Sequence, residues 1–122
     1  MPKHILIVDD SRTVRKLVAF IMKKEGFRVT QAEDGLDGLE KLYSSDTIDL
    51  VISDINMPRM DGFTFIKNVR EQEAYRDLPI VILSTEGQEK DIEQGIQLGA
   101  NLYMVKPAQP EKMVKNVRML LG

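Results

Sequence analysis

Between Ile48 and Gly62 the chain reads IDLVISDINMPRMDG, and this stretch leaves few folds open. An apolar, largely β-branched run (Ile48, Leu50, Val51, Ile52) leads directly into Asp54, and turn residues (Asn56, Met57, Pro58, Asp61, Gly62) follow. A short apolar run closed in this way predicts a buried strand. Asp54 then stands at its carboxyl end, where open α/β sheets form their ligand sites.

The rest of the chain alternates in the same manner. Ile5 to Val8 is a continuous apolar run, as expected of a strand covered on both faces, and it ends at Asp9 and Asp10. Helical spacing of Val14, Leu17, Val18, Ile21 and Met22 predicts a helix from Arg12 to Glu25, capped by Asp10 or Ser11 and ended by Gly26. Phe27 to Ala32 is a weaker, mixed strand. Asp34-Gly35 opens a helix to about Ser44 with Leu36, Leu39, Leu42 and Tyr43 facing inward. A third helix runs from Gly62 to about Gln72 on Phe65, Ile66 and Val69. Ile80 to Leu83 is a solid apolar strand ending at Ser84-Thr85. The helix from about Gln88 to Leu98 has few large apolar residues and an internal Gly95, so it is expected to be the loosest. Asn101 to Val105 forms the last strand, ending at Lys106-Pro107. Pro110 begins a final helix carrying Met113, Val114, Val117, Leu120 and Leu121. Five strands alternating with five helices predict a doubly wound parallel sheet with right-handed crossovers. The apolar first, third and fourth strands belong in the centre and the mixed second and fifth at the edges, which is the flavodoxin-like order 2-1-3-4-5.

The chain has 122 residues, 43% of them hydrophobic, which is one domain's worth. Its 17 basic and 19 acidic residues nearly balance, which disfavours nucleic-acid binding. Without cysteine there is no disulfide, thiolate metal site or thiol nucleophile. The amino-terminal apolar run is too short for a signal peptide, and nothing approaches the roughly 20 apolar residues of a membrane span, so a cytoplasmic protein is expected. Neither a G-x-G-x-x-G nor a P-loop pattern is present.

Parallel strands share one carboxyl rim, and here that rim gathers Asp9, Asp10, Asp54, Ser84 and Lys106. Clustered carboxylates oppose each other's ionisation unless a cation neutralises them. Oxygen ligands without His or Cys suit Mg²⁺. Asp10 and Asp54 are assigned as direct ligands, Asp9 as a ligand through water, and the Asn56 backbone carbonyl as a further oxygen. A carboxylate beside a metal-bound phosphoryl group can act as nucleophile and form an acyl phosphate. Lys106 would neutralise one phosphoryl oxygen and Ser84 would donate a hydrogen bond to another. Taken singly, each residue has an ordinary reading: Asp9-Asp10 as helix caps, Asp54 as a turn residue, Ser84 as a loop start, Lys106 as a surface charge. Their joint occurrence at four strand ends favours the site. His4, at the opposite rim, reads as structural or solvent-facing, and the seven methionines as packing residues.

Four segments, ILIVDDS at 5–11, DLVISDINMPRMDG at 49–62, PIVILST at 79–85 and GANLYMVKP at 99–107, together resemble the receiver domain of two-component response regulators, above all the stand-alone chemotaxis (CheY-like) type. The resemblance covers essentially the whole chain. It implies that Asp54 accepts a phosphoryl group from a phosphohistidine of a sensor histidine kinase or a histidine phosphotransfer protein, with Mg²⁺ held by Asp10, Asp54 and the Asn56 carbonyl. It also implies that Ser84 moves toward the phosphoryl group, that Tyr103 rotates inward, that the Lys106–Pro107 bond is cis, and that Asn56 and Glu86 modulate loss of the phosphoryl group. Two positions depart from the pattern: Thr85 stands where Ala or Gly is common, and Ala108 where Phe is common.

The expected activity is therefore a monomeric phospho-switch that catalyses only its own phosphorylation and dephosphorylation. Its fourth helix, last strand and last helix would repack. A face with Lys90, Glu93, Tyr103, Lys112, Lys115 and Met119 would then meet a separate effector, since no output domain follows Gly122. Two rivals are weaker. An aspartyl-phosphate phosphohydrolase needs a second Asp where this chain has Asn56, together with a cap domain. An interaction module that works without phosphorylation would commonly lack an acid or the lysine that this chain retains.

Overall fold

The alternation of short apolar runs and amphipathic segments resolves, in a computed structural model that describes residues 2–122, into eleven elements. These are β1 (His4–Val8), α1 (Arg12–Lys24), β2 (Arg28–Ala32), α2 (Gly35–Ser44), β3 (Leu50–Ser53), α3 (Gly62–Glu71), a short 3-10 turn (Glu73–Tyr75), β4 (Ile80–Ser84), α4 (Glu89–Leu98), β5 (Leu102–Val105) and α5 (Pro110–Leu121). The strands form one parallel sheet in the order β2-β1-β3-β4-β5. Every residue of β1, β3 and β4 is buried, while β2 and β5 at the edges are mixed. That difference follows from position, because only a central strand is covered by helices on both faces.

The pleat sends alternate side chains of each strand to opposite layers. Leu6, Val8, Val51, Ile80 and Ile82 pack with Phe65, Ile66 and Val69 of α3 and Leu42 of α2. Ile5, Ile7, Leu50, Ile52, Val81 and Leu83 pack on the other side with Val18, Ile21 and Met22 of α1 and Met113 and Val117 of α5. Not every helical residue expected to face inward does so. Leu17, Leu36 and Tyr43 are exposed, because each lies at the border of its helix's stripe, where a turn of the helix carries it past the sheet. Tyr43 instead stacks on Tyr75, their ring centroids 6.0 Å apart.

Helix ends are set by side chains that satisfy free backbone N–H groups. Ser11, rather than Asp10, caps α1 through the Val14 N–H (3.3 Å), while Asp34 and Asp61 cap α2 and α3 at 2.9 Å and 2.8 Å. Gln88 gives α4 no side-chain cap, and Gly95 is its sole buried residue. Its carboxyl end is better held. Gly99 adopts a left-handed conformation (φ 117°), and its carbonyl accepts two hydrogen bonds from Arg70, at 2.8 Å and 3.1 Å. His4 is buried within β1 rather than solvent-facing: its backbone N–H donates to Asp49 Oδ2 (2.8 Å), and its Nε2 pairs with the Thr30 hydroxyl (2.7 Å). Among the described residues no helix is long and apolar enough to cross a membrane.

Candidate functional site

Strand register brings the rim residues together. Val8 pairs with Ser53 and Ser84 with Val105, so Asp9, Asp54 and Lys106 each stand one residue beyond an aligned position. Backbone bonds carry the alignment past the strand ends: Asp54 N–H donates to Val8 O (2.9 Å), and Lys106 N–H to Ser84 O (2.8 Å). The Lys106 ammonium spans two carboxylates, 2.9 Å from Asp9 Oδ2 and 3.0 Å from Asp54 Oδ2. Both acids are buried, and Lys106 is nearly so. The remaining oxygens are held as well. Asp54 Oδ1 accepts from Ile55 N–H (2.6 Å) and Asp9 Oδ1 from Ser11 N–H (2.8 Å), while Arg15 reaches the Asp9 carbonyl (2.7 Å).

Burial pushes the Asp9 carboxyl above its ordinary range, against the opposing hydrogen bonds from Lys106 and Ser11. Burial by itself would lower Lys106, but the hydrogen bonds and charges of Asp9 and Asp54 outweigh it and leave the ammonium raised. A lysine held above its unfolded value of 10.5 adds stability that is complete below that value and lost as pH rises through the folded one. Chemical denaturation followed upward from about pH 9 should therefore show the wild type keeping its full advantage over Lys106→Met until the pH nears 10.5 and losing it progressively above that.

Carboxylate oxygens of Asp9, Asp10 and Asp54 all lie within 4.8 Å of one another. An all-oxygen set of this kind fits a hard divalent cation such as Mg²⁺. Asp10 is exposed, leaving one side open to water, as Mg²⁺ prefers. The Asn56 side chain donates from Nδ2 to Glu86 Oε1 (2.9 Å), and among the described residues its backbone carbonyl accepts no protein hydrogen bond.

The other expected site residues form a second tier. Ser84 is fully buried, and its hydroxyl accepts from the Glu86 N–H (3.1 Å). Tyr103 already lies inward: its hydroxyl donates to the Glu86 carbonyl, and burial raises its phenol above the ordinary value. Thr85 is exposed and, with Pro107, Ala108, Val14, Leu17 and Leu83, lines a cleft of about 360 Å³ beside Lys106. The Lys106–Pro107 peptide is cis.

Residues 5–118 match the response regulator receiver domain family. This chain is a receiver domain. The receiver is 33% identical over 119 residues to the chemotaxis protein CheY1 of Helicobacter pylori, covering 97% of this chain and 96% of that one. It is 31% identical over 121 residues to the phosphate regulon transcriptional regulatory protein PhoB of Escherichia coli, 99% of this chain but 52% of PhoB. The structure of the chemotaxis response regulator CheY4 of Vibrio cholerae superposes with a TM-score of 0.91 at 37% identity, covering 98% and 99% of the two chains. The receiver thus has a CheY-like fold and an acidic pocket of the family's kind.

One residue of the receiver's rim was invisible as a site residue in the sequence. Arg59, which lies between Pro58 and Asp61 and was not singled out there, donates from Nε and Nη2 to the two carboxylate oxygens of Asp34, at 2.6 Å and 3.0 Å. It does so with φ at 63°, a left-handed conformation that costs a non-glycine residue about 1 kcal/mol or more. The guanidinium holds the Asp34 carboxyl below its usual range. A turn arginine carries no periodic signal, and its partner is 25 positions away.

Proposed function

We propose that this receiver accepts a phosphoryl group on Asp54 from a phosphohistidine of a sensor kinase or histidine phosphotransfer protein, in two-component signalling of the chemotaxis type. The observation that carries this reading is the Asp9–Lys106–Asp54 bridge, with Asp10 beside it, at one open rim. Ile55 N–H orients the Asp54 carboxylate by one oxygen. A carboxylate oxygen attacks phosphorus, the P–N bond breaks, and the imidazole departs with the electron pair, leaving an acyl phosphate. Asp9 keeps the Lys106 ammonium at the rim, where it can pair with a phosphoryl oxygen once Asp54 is esterified. Mg²⁺, held by Asp10, Asp54 and the Asn56 carbonyl with Asp9 behind water, would neutralise the charge of the carboxylates and phosphoryl oxygens.

Ser84 supplies the route outward. Turning its hydroxyl toward a phosphoryl oxygen releases the Glu86 N–H, and Glu86 also holds Asn56 and Tyr103. Occupancy of Asp54 would so be felt in the β4–α4 loop, in β5 and in the uncapped start of α4, the face offered to a separate effector. The receiver's chemistry is confined to its own phosphorylation and dephosphorylation. The chemotaxis assignment is supported by the names of the relatives that match along nearly their whole length. Intact-mass spectrometry after incubation with acetyl phosphate tests the reading. A single phosphoryl adduct should form with MgCl₂ and none with EDTA; a folded protein that binds Mg²⁺ yet gains no adduct would sink it.

A further inference from the structure

We propose that Arg59 is a positioning residue for the cation site: it clamps the loop after Asp54 to the turn that opens α2, and so holds the Asn56 carbonyl in place. This rests on the reading of the rim as a Mg²⁺ site.

The cation ligands are not equally secure. Asp9 and Asp54 directly follow strand ends that the sheet holds in register and Asp10 comes next after Asp9, whereas Asn56 is three residues beyond the end of β3 on a loop. Loops position a group less precisely than strands unless something braces them. Here the loop is braced at both ends. Gly62 N–H donates to Ile55 O (2.7 Å) at its base. At its far end Gly35 N–H donates to Met60 O (3.0 Å), and Arg59 grips Asp34 with two hydrogen bonds. Asn56, Met57 and Pro58 are the arc between these braces.

The grip is built on a fixed anchor. The Asp34 side chain is only 3% exposed and is simultaneously held as the cap of α2, so it does not follow the loop. The turns also touch with no slack, since a Cβ on Gly35 would lie 2.6 Å from Met60 O. Arg59 is the single non-glycine among the described residues with positive φ. Glycine would satisfy that backbone alone. What arginine adds is the planar two-pronged match to a carboxylate.

The test is a MgCl₂ titration followed by calorimetry and by amide chemical shifts, with thermal melting in parallel. Arg59→Gly and Arg59→Asn both tolerate the left-handed backbone while removing the guanidinium. Each should raise the Mg²⁺ dissociation constant roughly tenfold, as loss of an outer-shell support does elsewhere. Arg59→Lys, with one prong, should fall between. Asp34→Asn keeps a cap but loses the charge, and combined with Arg59→Gly it should add little, because the two act as one unit. Dissociation constants within about twofold of wild type in both Arg59→Gly and Arg59→Asn, whatever their melting temperatures, would overturn the clamp alone. Wild type that binds no Mg²⁺ at millimolar concentration would overturn the clamp and the cation site together.

Discussion

Replacing Asp54 with Asn will abolish phosphoryl uptake and leave the receiver folded. Asn has nearly the same shape, and its side-chain oxygen can still accept from Ile55 N–H, which Asp54 Oδ1 does at 2.6 Å. It lacks a carboxylate to attack phosphorus, so the rate should fall by more than about a thousandfold, as it does in enzymes stripped of their nucleophile. The fold should tolerate the change because it also removes a like charge: Asp54 is one of the influences that raise Asp9, and without it Lys106 serves Asp9 alone. Mass spectrometry with acetyl phosphate and Mg²⁺, beside a thermal melt, reads both halves. An adduct forming on Asp54→Asn at the wild-type rate would place the acceptor elsewhere.

Gly62→Ala should damage the receiver severely through its backbone. A Cβ there would stand 2.0 Å from the Asp54 carbonyl oxygen, 2.8 Å from Ile55 Cα and 2.9 Å from Asp54 C. All three are main-chain atoms of the segment that carries Asp54, so no side chain can swing aside. Either α3 withdraws from the sheet, loosening Phe65 and Ile66, or Asp54 leaves the register that joins it to Val8. The expected loss is about 3 kcal/mol or more, beyond ordinary overpacking. That corresponds to a melting temperature lower by about 10 °C or more for a domain of this size. Gly87→Ala is the matched control. Its Cβ would meet only Val105 side-chain carbons at 3.4 Å, and its melting temperature should stay close to wild type.

These two outcomes bear on different parts of what could be read in advance. Asp54 was legible as a rim residue because an acid after a buried strand is a local pattern, Asp9 and Asp10 because they close the first strand, and Ser84 and Lys106 because each closes another. The central strands were legible because burial on both faces leaves β1, β3 and β4 without a polar side chain until their ends, apart from His4 and Ser53. The helices were legible in their cores and less so at their borders. Leu17, Leu36 and Tyr43 are apolar at helical spacing yet exposed, since spacing gives a direction around the helix and not the width of the surface that covers it. The 3-10 turn at Glu73–Tyr75 carries no periodic pattern at all.

The sequence by itself determined the element order, the doubly wound parallel class and the membership of the rim, because hydrophobic period and turn chemistry act over a few residues and are written locally. Only the tertiary structure decided how that membership becomes a site. Register sets Asp9 and Asp54 side by side with one lysine between them, packing leaves Gly62 no room for a methyl group, and Arg59 finds Asp34 across 25 positions. Distances of that kind depend on where several chain segments cross, and no short stretch of residues contains them.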